Sequence, residues 1–112
     1  MVETLRSGKV FVRKTYAGDL RETDYGYSFK YDEEYLKNDR ALPVSITLPL
    51  STTEYTSSVL FSFFDGLIPE GWLLDVASRN WKINKNDRFG LLLVCCRDCI
   101  GDVSIEGERY DL

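Results

Sequence analysis

Three thiols lie within five positions, Cys95, Cys96 and Cys99, and Cys96-Arg97-Asp98-Cys99 has the C-x-x-C spacing of thiol redox proteins. That chemistry needs the first thiol at the start of a helix, where the dipole lowers its pKa. Here the pattern closes a predicted helix, whose C-terminal end raises a thiol pKa instead. Zinc would need a fourth ligand, and the chain has no histidine. Recruiting Asp98 would place four ligands within five residues, too crowded for a tetrahedron. The cysteines therefore read as small buried or half-buried residues at a turn. Their odd number and close spacing suit reduced thiols in a cytoplasm rather than a disulfide framework.

Asp65, Glu70 and Asp75 are close in sequence, and paired carboxylates do acid/base work when one is desolvated. On helices such residues more often cap ends or face water. Without histidine there is no usual general base and no Ser-His or Cys-His nucleophile pair. Neither a phosphate-binding loop nor a kinase catalytic-loop motif is present. The chain is accordingly read as a binding protein and not an enzyme, with no cofactor and no metal. Fourteen Lys and Arg against eighteen Asp and Glu, a net charge of −4 and a pI near 4.8 leave little to neutralise phosphates. Direct nucleic-acid binding is not expected. No apolar stretch approaches the length of a membrane span, and a cytoplasmic location is expected.

Trp72 carries more information. A helical wheel places Leu73, Leu74, Ala77 and Trp81 on one face of a helix and Trp72 roughly 140° from its centre. An indole on an outer face either fills a partner's pocket or is covered by a loop of its own chain.

The elements that would position these residues follow from periodicity. With 112 residues and 44% hydrophobic content the chain is one domain, 1–112, with Glu106 to Leu112 as a flexible polar tail. Lys9 to Lys14 reads as a strand, Ala17-Gly18-Asp19 as a turn and Leu20 to Glu22 as a second strand. Tyr27 to Tyr31 alternates aromatic and polar residues as a third strand, and Asp32 caps a short helix to Leu36. Pro43 to Pro49 is read as an edge strand. A helix capped at Ser57 or Ser58 would bury Val59, Leu60, Phe63, Phe64 and Leu67. Pro69 opens the next helix, which runs to about Trp81. Asn84 or Asn86 caps a third helix with Phe89, Leu92, Leu93 and Cys96 in its stripe, and Ile100 to Ile105 is a closing strand. The fold class is α+β, a small antiparallel sheet packed against three to four helices.

The run Phe63-Phe64-Asp65-Gly66-Leu67-Ile68-Pro69-Glu70-Gly71-Trp72 resembles the FFDNLLPEG-type motif in the N-terminal subdomain 1 of HipA-family kinases. Phe29 to Leu36 is similar to that family's F-x-Y-x-x-x-[WY]-L element, and Ala41 to Leu50 to its R-P-L-S-x-S-L-P-L segment. Phe89-Gly90-Leu91-Leu92 and Arg97 to Val103 resemble its F-x-L-L and G-R-D-x-x-G-A-V elements, with Cys96 in place of Gly and Asp102 in place of Ala. The segments keep the family's order and span nearly the whole chain, which is expected to be this module without the kinase core.

A short chain of this kind resembles HipS-type antitoxins. The resemblance implies that it neutralises a HipT-type serine/threonine kinase toxin in a tripartite toxin–antitoxin system, with a HipB-like helix-turn-helix protein in the same complex. The contact surface would be Ile68, Pro69, Glu70, Gly71 and Trp72. The alternatives are an activating half of a split HipA-type kinase and, further off, a thiol redox protein.

Overall fold

A computed structural model describes residues 4–68, 71–84, 86–96 and 102–107, with the backbone alone at 71–73 and 77. Its elements are β1 (Thr4–Val12), β2 (Thr15–Thr23), β3 (Gly26–Tyr31), α1 (Glu33–Leu36), β4 (Tyr55–Ser57), α2 (Ser62–Asp65), α3 (Gly71–Trp81), α4 (Arg88–Cys95) and β5 (Val103–Gly107). The strands form one antiparallel sheet in the order β4-β3-β2-β1-β5, so the α+β expectation holds.

The two faces of the sheet differ because side chains alternate across a strand. Ile105, Val10, Gly18 and Tyr31 lie opposite one another across four strands on the core face, where Phe64, Phe89, Leu91 and Leu92 from α2 and α4 complete the core. One residue along, Glu106, Lys9, Asp19 and Lys30 form a row of alternating charge on the other face. Directly opposed unlike charges favour this register and mark the face as solvated.

The first hairpin differs from its sequence reading. The chain turns at Arg13 and Lys14, both with positive φ (50° and 68°), as a two-residue loop with right-handed strand twist requires. Ala17-Gly18-Asp19 is instead inside β2. Glycine stands at 18 because β3 approaches closely: a Cβ there would lie 3.0 Å from Tyr31 Cα and closer still to the Lys30 carbonyl. Ala17 is the extra residue of a bulge between the pairs Val10–Gly18 and Phe11–Tyr16, and its carbonyl accepts from the Asp32 amide (2.7 Å).

Asp32 does cap α1, its carboxylate accepting from the Tyr35 amide. Pro43 to Pro49 is not a strand. It is a loop with one isolated bridge, Ser45 to Leu48, and the edge strand is Tyr55–Ser57. Because Ser57 is paired to Tyr27 in the sheet, no helix can start there. α2 is correspondingly short, begins after Phe61 without a side-chain cap, and leaves Val59 67% exposed. α4 is capped by Asp87, whose carboxylate accepts from the Gly90 amide, and not by Asn84 or Asn86. β5 pairs antiparallel with β1 and takes in Glu106 and Gly107, which the sequence reading gave to the polar tail; residues 108–112 lie outside the described residues.

Candidate interaction surface

The segment singled out by sequence begins in the core, at α2. Phe64 is fully buried, its ring 5.6 Å from Phe29, 5.3 Å from Phe63 and 6.2 Å from Phe61. The following turn is closed by the Leu67 amide on the Phe64 carbonyl (3.0 Å) and the Ile68 amide on the Asp65 carbonyl (3.2 Å). Two contacts from α4 fix it further: Arg88 Nε donates to Asp65 Oδ1 (2.8 Å), and the Cys96 thiol donates to the Leu67 carbonyl (3.3 Å).

Ile68 is only 3% exposed and belongs to the core. This corrects its assignment to a partner contact: a side chain committed to the core anchors the segment instead, four residues on from Phe64 where helical spacing would place a core neighbour. Pro69 and Glu70 lie outside the described residues. Gly71 and Trp72 form the first turn of α3.

α3 packs on the core through Leu74, half-buried, and ends at Trp81, after which Lys82 takes a positive φ of 54°. The wheel placed Trp81 on the buried face, but its side chain is 59% exposed. Among the described residues the core does not reach the C-terminal end of the helix, which leaves Trp81 largely uncovered.

Among the described residues the other candidate chemistry does not assemble. Cys96 is buried and Cys95 half-buried, as small residues at a helix end, and Cys99 lies outside the described residues. Asp65 is bound to Arg88, Glu70 lies outside the described residues, and no group of three metal-ligating side chains comes together among those described. Two surface grooves of about 550 and 540 Å³ meet at Tyr27 and Ser58. The first is lined by hydroxyls such as Thr23, Ser28 and Thr56 beside Arg21 and Glu54, the second by Val59 and Leu60 beside the Asp65–Arg88 pair.

One polar network escaped the sequence reading. The Arg6 guanidinium donates to both oxygens of Glu22 (Nε 2.7 Å, Nη2 2.9 Å) and both of Asp87 (Nη1 2.9 Å, Nη2 2.9 Å), and lies 5.4 Å from the centre of the Phe89 ring. It ties the sheet to the start of α4. Glycine is needed at 90, since a Cβ there would lie 3.0 Å from Arg6 Nη1 and would overlap the Asp87 carboxylate. Arg6 holds the Asp87 carboxyl below its ordinary range, while hydrogen bonds to Glu22 and Asp87 raise the guanidinium's own pKa. Burial pushes Tyr27 up and Tyr31 up to about 12, and Tyr16 rises through burial and its hydrogen bond to Asp19. Each of these shifted groups is held in one protonation state at neutral pH, which suits structure rather than proton transfer.

A depressed carboxyl pKa contributes stability that is present above the unfolded value and lost as pH falls through the folded one. The wild-type protein is therefore expected to lose stability, seen as a lower urea midpoint, as the pH falls through and below the ordinary aspartate range. Asp87→Asn keeps a cap acceptor but loses the charge, and should flatten part of that slope in urea titrations at stepped pH. An unchanged slope would show that the clamp carries no linkage.

The fold as a whole has counterparts among known proteins. The profile of the HipA N-terminal domain matches residues 8–106. The chain belongs to the HipA N-terminal domain family. A solved structure of the N-terminal domain of HipA toxin superposes with a TM-score of 0.74 at 32% identity, covering 99% of this chain and 100% of that one. An uncharacterised protein of Haemophilus influenzae is 34% identical over 109 residues, 97% of this chain and 99% of its own length. The HipA N-terminal domain is not the catalytic kinase part. No helix among the described residues is long and apolar enough to cross a membrane.

Proposed function

We propose that this HipA N-terminal domain is an antitoxin of the HipS type, which binds and neutralises a HipT-type serine/threonine kinase. A HipB-like helix-turn-helix protein would share the complex and supply DNA binding, in keeping with this chain's net charge of −4. The observation that carries the reading is the anchored junction before α3. Phe64, Ile68, the Arg88–Asp65 pair and the Cys96–Leu67 bond hold the chain where it enters residues 69–72. A segment held in place loses little entropy when it docks, so its contacts convert efficiently into affinity. What supports inhibition rather than mere binding is the resemblance of the chain to HipS-type antitoxins.

The likeness to HipA's own N-terminal domain favours a second reading, in which the chain completes a split kinase. Phosphorylation by the purified kinase, measured with and without one equivalent of this chain, separates the two. The antitoxin reading expects loss of activity; activation on mixing would sink it in favour of the split kinase. The buried Cys96 gives the thiol redox alternative no support.

A further inference from the structure

The loop between α1 and β4 is held by three tyrosine hydroxyls. Tyr35 Oη accepts from the Leu42 amide (3.0 Å) and donates to the Leu42 carbonyl (2.7 Å). Tyr31 Oη accepts from the Val44 amide (2.9 Å) and donates to the Leu48 carbonyl. Tyr55 Oη donates to the Pro49 carbonyl (2.6 Å). Val44 and Leu48 are buried beneath, and the tip is closed by the Leu48 amide on the Ser45 carbonyl (3.1 Å) and the Thr47 amide on Ser45 Oγ (3.2 Å). A loop fixed at this many points is a preorganised display, and what it displays is Ile46, 95% exposed, with Leu42 and Leu50 exposed on its two stems.

A fully exposed β-branched aliphatic side chain at the tip of a rigid loop does nothing for this fold. The composition around it is equally marked: no residue from Ala41 to Thr53 is charged, in a chain that is 29% charged. Depletion of charge around an apolar centre is the signature of the inner part of a protein interface, where a charge would have to be desolvated. A second copy of the chain is a poor occupant, since the two grooves described above are lined by hydroxyls or contain the Asp65–Arg88 pair.

We infer that the 42–50 loop is a second docking element, in which Ile46 enters an uncharged aliphatic pocket on the partner kinase. This rests on the kinase reading above.

Titration calorimetry of the purified kinase with wild type, Ile46→Val and Ile46→Asp tests this. Ile46→Asp is expected to weaken binding about tenfold or more, and Ile46→Val to stay within about threefold, with both unfolding midpoints unchanged. Ile46→Asp binding as tightly as wild type overturns the inference and leaves the kinase reading standing. A wild-type chain that does not bind the kinase defeats both. A wild-type dimer that Ile46→Asp dissociates would assign the loop to self-association and overturn it as well.

Discussion

Phe64→Ala is expected to lower the unfolding free energy by about 3–5 kcal/mol and to abolish kinase binding with it. Phe64 is fully buried, and its ring packs against Phe29 of β3, against Phe61 just before its own short helix and against Phe63 within it. α2 has four residues and no side-chain cap, too short to stand on its own hydrogen bonds, so this ring is what holds it to the sheet. The alanine variant leaves a cavity under the turn that carries Ile68, and small domains have only about 5–15 kcal/mol to lose. Urea unfolding gives the stability. A loss under about 1 kcal/mol would mean that the site collapses around the smaller side chain, and that the junction is held chiefly by Arg88 and Cys96.

Trp72→Ala is expected to weaken kinase binding by about 2 kcal/mol or more, roughly thirtyfold, without moving the unfolding midpoint. The argument combines helical spacing with one observed contact. α3 is helical from Gly71, and Leu74, two positions after Trp72, packs on the core. At about 100° per residue those positions are some 160° apart, and the predicted loss of binding follows from that spacing. Tryptophans in such positions are the commonest hot spots of protein interfaces. Trp81→Ala supplies the comparison, an indole 59% exposed at the other end of the same helix. If Trp72→Ala lowers the unfolding midpoint, the indole belongs to the core and the proposed contact is wrong.

Much of the fold was legible in the sequence where a local period coincides with what the tertiary structure covers. Phe29, Lys30 and Tyr31 alternate as β3 does, Asp32 caps α1, α3 stops at Trp81, and of the stripe Phe89, Leu92, Leu93 and Cys96 all but the half-buried Leu93 are buried. Each of these is a statement about near neighbours in the chain. The order of the family motifs from Phe29 to Val103 carried the family, since each motif is itself a short-range pattern.

What only the tertiary structure decided depends on groups far apart in sequence. Gly18 looks like a turn residue until Tyr31 is seen beneath it, and Arg13-Lys14 looks like strand until the register places the hairpin there. The Pro43 to Pro49 run has the composition of an edge strand, yet a hydroxyl thirteen positions away takes the backbone bonds a neighbouring strand would have taken. Arg6 and Asp87, 81 positions apart, form a clamp that no local pattern announces. Periodicity says which face of an element is apolar, and by itself it pointed to an α+β class with the helices between Ser57 and Cys96 packed on the sheet. Whether an apolar residue is then covered depends on what packs over it, and for that reason only the fold could place Ile68 inside and leave Trp81 and Ile46 facing out.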